Sequence, residues 1–308
     1  MAKRLEREVR GQVKRDVRDA KAQMRQDRRG RGARRKSPLP KVFAALLLLA
    51  FCGWFFWWSQ NSIQTERVEI SGAPSAFDGF SIAVLSDIHG KEFGENSEIL
   101  IEKTRILHPD IIVITGDLLH AGQTLDMVPA LAEGLCAIAP TYYITGNHEW
   151  AAKCVPELKE MLSAHGVTVL SNEYVVLEHK GAELALLGAD DDNGPATQKS
   201  ISALADEVRQ EEGADTYLLL LSHRNNRYEL YAEAKVDLTL SGHAHGGMIR
   251  LPFTDGLIGP HREWLPSYTA GVYDLDYGQM FVSRGLSDKE GFRLFNRPHL
   301  PLIVLQND

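Results

Sequence analysis

The chain has 308 residues, of which 44% are hydrophobic and 24% charged, a length and composition ordinary for a protein with one sizeable globular domain. Its net charge of −7 combines two opposite parts, because residues 1–41 hold 16 Lys and Arg against 5 Asp and Glu, which leaves 18 basic and 36 acidic residues for the remainder. The acidic remainder shows no basic patch with interleaved aromatic residues, so no nucleic-acid partner is expected, and no protein partner is inferred.

An uncharged apolar segment follows the basic residues. Residues 42–58 contain no charge, and their number lies at the short end of the ~17–25 residues that cross a bilayer. Their far end is the aromatic cluster WFFWW at residues 54–58, and such rings prefer the headgroup level of a membrane. We interpret residues 42–58 as one transmembrane helix. A cleaved signal peptide is the alternative, disfavoured by the long basic lead.

The flanking charges predict how this helix is oriented. Sixteen basic residues precede it, whereas Arg67 is the only one in the twenty residues after it. This bias predicts a single-pass membrane protein with a cytoplasmic N-terminus and its catalytic domain on the outer face. The basic tail, residues 1–41, is either a solvated segment that sets the topology or a helix whose thin apolar stripe, beginning at Leu5, contacts anionic lipid.

Residues 59–78 are expected to form a linker, and residues 79–308 a globular domain in which strands and helices alternate. Nearly continuous apolar runs predict buried strands at 80–85, 111–115, 142–145, 167–170, 217–221, 236–240 and 300–305, and hairpins over 174–188 and 268–283. Helical periodicity predicts helices at 97–107, 125–138, 156–164 and 200–210. The pattern indicates an α/β domain.

Polar residues follow five of the predicted buried strands at the point where each ends. They are SDIHG at 86–90, GD at 116–117, GNHE at 146–149, SH at 222–223 and GHAH at 242–245. Each motif alone could be an ordinary turn or a structural histidine. Because ligands bind beyond the carboxyl ends of strands in α/β sheets, the five together predict one crevice with a metal site.

The order and spacing of these motifs resemble the calcineurin-like metallophosphoesterase superfamily, whose motifs run Asp-x-His, Gly-Asp, Gly-Asn-His-Glu/Asp, His and Gly-His-x-His. The resemblance covers residues 79–250 and implies a two-sheet β-sandwich flanked by helices. Three later segments, 245–252, 283–286 and 296–298, are similar to a membrane-associated branch of UDP-diacylglucosamine hydrolases and cell-envelope phosphodiesterases.

The resemblance also implies two divalent metal ions and a role for each site residue. The implied ligands are Asp87, His89 and His245 for one ion, Asn147, His223 and His243 for the other, and Asp117 as the bridge. Mixed nitrogen and oxygen donors suit manganese, iron or zinc better than calcium, and manganese is the expected ion. His148 would contact the phosphate and protonate the leaving oxygen, with Glu149 orienting it or a neighbouring ligand, so His148 and Asp117 are the catalytic candidates.

Substrate contacts are assigned to three arginines near the motifs, Arg224, Arg250 and Arg284, whose guanidinium groups could bind further phosphate or an anionic headgroup. Each of them alone is more typical of a solvated surface arginine. One position departs from the family pattern, because many relatives place an acidic or amide residue three positions after Asp117, where this chain has His120.

The resemblance therefore implies a membrane-anchored phosphoesterase that uses a metal-activated hydroxide on a phosphodiester or pyrophosphate, and the tether favours a lipid-linked or envelope substrate. One alternative is UDP-2,3-diacylglucosamine hydrolysis in lipid A synthesis, which conflicts with an outward-facing domain because a UDP-sugar lies in the cytoplasm. The other is a catalytically silent metal-binding module of the envelope, which the retention of His148 disfavours.

Overall fold

The computed structural model describes residues 1–30, 39–251, 255–259, 262–287 and 292–307. These divide into two compact units, Met1–Gly53 and Trp54–Asp308. The first unit contains helix α1 (Ala2–Gly30) and most of helix α2 (Leu39–Asn61). The second contains the aromatic end of α2 and the α/β domain.

Helix α2 extends the predicted transmembrane segment by three residues at each end. Among the described residues it is the one helix long and apolar enough to cross a membrane, judged by length and composition. Its 23 residues span about 34 Å at 1.5 Å per residue, close to the ~30 Å thickness of the hydrocarbon core. The prediction of one apolar helix ahead of the globular domain is confirmed.

Two six-stranded sheets form the frame of the α/β domain. The first sheet contains β1 (Gln64–Ile70), β2 (Ser81–Leu85), β3 (Ile111–Thr115), β4 (Thr141–Ile144), β5 (Thr168–Val169) and β14 (His299–Leu305), in the order β1-β14-β2-β3-β4-β5. The second contains β6 (Glu173–His179), β7 (Ala182–Ala189), β8 (Leu218–Arg224), β9 (Leu238–Gly242), β12 (Gly271–Asp274) and β13 (Gln279–Val282), in the order β12-β13-β9-β8-β7-β6. A short third sheet pairs β10 (Ile249–Arg250) with β11 (Gly256–Ile258).

The inner strands of both sheets are mostly apolar because both of their faces are covered. One cluster of buried side chains lies between the sheets and joins Ile82 and Val113 to Leu221 and Leu240. The opposite face of the first sheet packs on α3 (Glu98–Ile106), α4 (Val128–Cys136) and α6 (Val155–Ala164), and that of the second sheet on α7 (Ile201–Glu211) and α8 (Tyr228–Glu233). The two-sheet sandwich flanked by helices is therefore confirmed.

The expected linker over residues 59–78 is wrong in its middle. Residues 64–70 form β1, which pairs in parallel with β14 from Gln64↔His299 to Ile70↔Leu305. The strand carries the sequence QTERVEI and most of its side chains are exposed, with Ile70 buried. An edge strand with so little apolar surface has no buried-strand signature, which explains why its sequence resembles a linker.

His299 on β14 forms hydrogen bonds with the edge strand β1 and with the loop after β13. Its Nε2 lies 3.0 Å from the Glu66 carboxylate on β1, and the backbone N–H of Arg284 donates to its Nδ1 at 3.3 Å. Burial lowers the pKa of His299 to about 4. The neutral imidazole thus makes both hydrogen bonds in the folded chain.

We predict that this histidine makes the domain less stable in mild acid. The unfolded chain takes up the His299 proton near pH 6.5, whereas the folded chain does so near pH 4. Its contribution is therefore fully present above about pH 6.5 and is lost as pH falls towards 4, by up to ~3 kcal/mol. Chemical unfolding of the full chain in detergent at several pH values measures this, with His299→Gln as the non-titrating comparison.

The control is His108→Gln, since His108 is exposed. We expect the stability of His299→Gln to fall less between pH 7 and pH 5 than that of the unsubstituted chain, and that of the control to fall equally. Parallel pH profiles for all three chains would contradict the assignment.

Candidate metal centre

The predicted metal ligands all lie near the carboxyl ends of five parallel strands. Asp87 and His89 follow β2, Asp117 follows β3, Asn147 begins helix α5 (Asn147–Ala152) after β4, His223 lies at the end of β8, and His243 and His245 follow β9. Strands β2, β3 and β4 are parallel neighbours in one sheet, and β8 and β9 in the other. The crevice between the two sheet ends therefore receives residues from both.

Most of these residues have an unusual backbone. Asp87, His89, Asp117, His243 and His245 have positive φ angles between 49° and 65°. This left-handed region is uncommon for residues other than glycine, and such strain is concentrated at functional sites. Five strained positions around one point indicate that the backbone is held there to aim side chains inward.

The glycines in the motifs allow the loops to approach each other. A Cβ at Gly242 would lie 1.8 Å from the Ser86 Oγ, and one at Gly146 would lie 2.2 Å from the Asp117 Oδ1. Neither position has room for a side chain. This explains why glycine precedes His243 in one motif and Asn147 in the other.

One group of donor atoms consists of Asp87, His89 and His245, whose nearest ligand atoms all lie within 4.8 Å of one another. The His245 Nε2 is 3.6 Å from the Asp87 Oδ1 and 3.4 Å from the His89 Nε2. The His245 Nδ1 lies 2.9 Å from the carbonyl oxygen of Ser287. Donation of the Nδ1 hydrogen to that carbonyl leaves the Nε2 lone pair directed at the group.

A second group consists of Asp117, His223 and His243, with the same spacing. The His223 Nε2 lies 3.2 Å from the His243 Nδ1 and 3.1 Å from the amide oxygen of Asn147. The His223 Nδ1 faces the carbonyl oxygen of Thr115 at 2.8 Å, so its Nε2 is the inward-facing atom. Asn147 therefore lies beside this group.

Asp117 lies between the two groups. Its Oδ1 accepts the backbone N–H of His148 at 2.8 Å. Its Oδ2 lies 3.2 Å from the His223 Nε2, 3.8 Å from the His89 Nε2 and 4.0 Å from the His148 Nε2. A single carboxylate oxygen thus faces both groups of donors.

The charge of Asp117 dominates the electrostatics of the crevice. Burial opposes ionisation of Asp117, but His223 and its other histidine neighbours lower the pKa of the carboxyl well below its usual value. Burial likewise opposes protonation of His223, but Asp117 raises the pKa of His223 to about 10. The buried carboxylate therefore requires a positive charge beside it. Divalent cations fit that requirement and this donor set of carboxylate, amide and imidazole groups.

Glu149 connects the loops that follow β3 and β4. It is fully buried, and its carboxylate accepts backbone N–H groups of Gly146 at 2.9 Å, Asp117 at 3.2 Å and Leu119 at 3.2 Å. Burial and the charge of Asp117 raise the pKa of Glu149 to about 8. A cation beside Asp117 would offset this repulsion. Glu149 therefore positions the backbone of these two loops rather than the side chain of His148.

His148 lies at the open side of the crevice and contacts His120. Their Nδ1 atoms are 2.8 Å apart, so a hydrogen carried by one nitrogen is shared with the other. Burial lowers the pKa of His148, and the charge of Asp117 opposes this shift. His120, the position that departs from the family pattern, therefore contacts the candidate catalytic histidine directly. His120 also completes a third close group with His89 and His148.

The three predicted substrate arginines differ in their surroundings. Arg224 forms two hydrogen bonds with the buried Asp191, at 2.7 and 2.9 Å, so its guanidinium is held by that carboxylate. Arg250 donates to the carbonyl oxygen of Gly246 at 2.9 Å. Arg284 is buried, and burial lowers its pKa to about 10. Among the described residues, it pairs with Glu66 at 3.9 Å.

Sequence reasoning missed Arg293, which is 1% exposed. Its guanidinium donates to the carbonyl oxygens of Arg284, of Gly285 at 2.8 Å and of His245 at 3.4 Å. Because these three carbonyl oxygens belong to separate segments of the chain, no sequence motif distinguishes Arg293 from a surface arginine. Asn296 acts similarly and donates to the carbonyl oxygen of His245 at 2.7 Å.

Comparison with known proteins gives a consistent picture. The family model described as calcineurin-like phosphoesterase matches residues 80–247. An uncharacterised metallophosphoesterase of Bacillus subtilis, YkuE, is 29% identical over 79% of this chain and 84% of its own length. A phosphodiesterase of Escherichia coli, YaeI, is 27% identical over 73% and 82%. A transmembrane protein with a metallophosphoesterase domain from Bos taurus is 29% identical over 80% of this chain and 57% of its own.

The contacts of Glu149 lead to a prediction about metal retention. Glu149→Ala removes the acceptor of three buried N–H groups, and each unsatisfied group costs about 1–3 kcal/mol. We expect this variant to unfold at a markedly lower temperature and to retain less metal, with Glu149→Gln intermediate because one oxygen remains. Thermal unfolding and elemental analysis of the purified chain measure both effects.

The matched control for the Glu149 variants is Glu133→Ala, since Glu133 is exposed and pairs with His165 at 2.9 Å. It should differ little from the unsubstituted chain. If Glu149→Ala matched this control in unfolding temperature and in metal content, the proposed support of the loops would be refuted.

Proposed function

The chain belongs to the calcineurin-like phosphoesterase family. From that premise we propose that it is a membrane-anchored phosphoesterase with a dinuclear metal centre. We propose that its substrate is a lipid-linked or envelope phosphodiester or pyrophosphate. The family makes it a metal-dependent phosphoesterase, and the apolar helix α2 together with transmembrane relatives indicates a membrane protein. The substrate class, the ligand assignments and the orientation are the proposed parts.

One observation carries the proposed centre, namely that the Oδ2 of Asp117 faces both groups of donor atoms. Asp87, His89 and His245 would hold one cation, and Asn147, His223 and His243 the other, with the Oδ2 of Asp117 between them. Manganese is the proposed ion, with iron or zinc as the alternatives that the same donors accept. When bound, two such ions lower the pKa of a water molecule and offset charge on the phosphate oxygens.

His148 is suited to handle the leaving group. Its backbone N–H donates to Asp117, and its side chain is 25% exposed, so a substrate can reach it. The Nε2 faces the centre, 4.0 Å from the Asp117 Oδ2, and the Nδ1 faces His120. We assign to the Nε2 the contact with phosphate and the transfer of a proton to the leaving oxygen.

The region around the centre supports an amphiphilic substrate. A cleft beside His243 is lined by Tyr228, Pro266 and Tyr268 and by the polar side chains of Asn225, Asn226, Glu263 and Ser267. Arg284 is the most suitable anion-binding arginine of the three, because among the described residues its ion pair with Glu66 is long, at 3.9 Å, whereas Arg224 is engaged by Asp191. A cleft with both aromatic and polar side chains suits a phosphoester that carries a hydrophobic group.

Two substitutions separate catalysis from metal binding. His148→Ala should keep its metal content and lose about 10²–10⁴-fold in turnover, because it removes a general acid. Asp117→Asn should lose both metal and activity, because the bridging charge is gone. The measurement is elemental analysis of the full chain combined with hydrolysis of bis-p-nitrophenyl phosphate and a panel of lipid-linked phosphodiesters and pyrophosphates, including lipid-linked UDP-sugars.

His165→Ala serves as the matched histidine control, since its ring pairs with Glu133 outside the crevice. Unchanged turnover in His148→Ala would remove His148 from the mechanism, and full metallation of Asp117→Asn would refute the bridge. A fully metallated chain inert towards the whole panel would replace the proposed enzyme with a metal-binding module.

The orientation has its own test. The excess of basic residues ahead of α2 predicts that the globular domain lies on the outer face. Protease added to intact cells or spheroplasts should therefore remove the domain, as detected with an antibody to its C-terminus. Protection in intact cells and cleavage only after lysis would place the domain in the cytoplasm, where a UDP-sugar would be accessible.

A further inference from the structure

Five large apolar side chains near the metal loops are exposed. They are Leu251, Trp264, Leu265, Phe292 and Phe295, with exposed fractions of 45, 69, 61, 44 and 46%, and we call them the apolar rim. Single exposed apolar residues are common on proteins, but large ones gathered on adjoining segments mark a contact surface. The rim is therefore a candidate contact surface.

The rim is attached directly to the metal loop that contains His245. Strand β10 pairs with β11, and isolated bridges join Ile249 to Leu294 and Ile258 to Trp264, so the rim segments lie side by side. The Cα of Gly256 packs so closely on Gly247 that a Cβ at Gly247 would lie 2.4 Å from it. Whatever binds the rim is thus held next to the metal centre.

The rim is also continuous with the aromatic end of α2. The ring of Phe295 lies 5.3 Å from that of Phe55, and the ring of Phe292 lies 6.2 Å from that of Phe56. Arg297 lies over the ring of Trp58 at 4.4 Å. The end of the apolar helix and the rim therefore form one aromatic surface.

We propose that the apolar rim is a second membrane contact, which inserts into the interfacial layer of the bilayer beside the end of α2 and holds the metal centre against the lipid surface. The observation that favours lipid over a protein partner is the continuity with the aromatic end of the helix, because tryptophan at such a helix end lies at the headgroup level. Exposed Arg262, two residues before Trp264, suits an anionic headgroup.

This surface gives the cleft beside His243 a route to the bilayer. Glu263 and Pro266 line that cleft, and the rim residues Trp264 and Leu265 lie between them in the chain. A phosphoester could present its phosphate to the metal centre while its hydrophobic part stays in the membrane. The inference rests on the proposed membrane anchor, and the route to the cleft rests on the proposed lipid-linked substrate.

The test places Trp264 relative to the lipid. The full chain is reconstituted into phosphatidylcholine and phosphatidylglycerol vesicles, with or without lipids brominated on the acyl chain near the headgroup. The fluorescence of Trp264 is obtained by subtracting the emission of Trp264→Phe from that of the unsubstituted chain. The emission of the other four tryptophans cancels in this difference. We expect this difference to lose most of its intensity in brominated vesicles.

Trp150→Phe supplies the matched control. The indole of Trp150 donates to the Thr145 Oγ1 at 2.9 Å at the end of β4, so its difference emission should be unaffected by bromine. Flotation of the vesicles through a density gradient, run on the same samples, reports whether the chain is anchored.

The outcomes separate this inference from the proposed function. Flotation with an unquenched Trp264, as expected if a second copy of the chain covers the rim, overturns the inference alone. Failure to float overturns the anchor and the inference with it. Flotation with a quenched Trp264 supports the membrane contact whether or not the preparation hydrolyses the substrate panel, and an inert preparation would then count against the proposed function only.

Discussion

The buried carboxylate of Asp117 is the group on which the rest of the site depends. A buried negative charge is costly unless positive charge or hydrogen bonds compensate it, and the domain supplies histidines from both sheets around this one oxygen. This is possible because the carboxyl ends of strands from both sheets meet at the site. Strand β3 of one sheet positions Asp117, and β8 and β9 of the other sheet position His223 and His243. Two cations would compensate the same charge with the same donors.

Holding these groups together imposes constraints on the backbone. The loops approach so closely that glycine is required before His243 and before Asn147, and several donors occupy left-handed conformations. The carbonyl oxygens of Thr115 and Ser287 orient two of the histidines, and Glu149 collects the N–H groups of two loops. The positions of the donor atoms are therefore maintained by hydrogen bonds that involve the main chain around them. For this reason a substitution of a supporting residue such as Glu149 should alter metal retention.

A second network joins the metal loops to the aromatic end of α2. The guanidinium of Arg293 donates to the carbonyl oxygens of Gly285 and His245, which lie on the loops after β13 and β9. The backbone N–H of Arg293 donates to the side chain of Gln60 at 3.1 Å. Ser59 donates to the Arg293 carbonyl oxygen at 3.2 Å. The end of α2 and the loop that carries His245 thus contact the same buried arginine, so their positions depend on the same side chain.

The sequence by itself determined the α/β frame, the apolar helix and the site motifs, because each has a local signature. Strands buried on both faces appear as continuous apolar runs, and Asp87, Asp117, Asn147 and the histidines follow them directly. Edge strand β1 escaped prediction, since a mostly exposed strand has no apolar run. Only the tertiary structure decided that one oxygen of Asp117 faces both donor groups, that Arg224 is held by Asp191 and that Arg293 is buried. These features depend on contacts between residues far apart in the chain, and periodicity and motif spacing carry no information about such contacts.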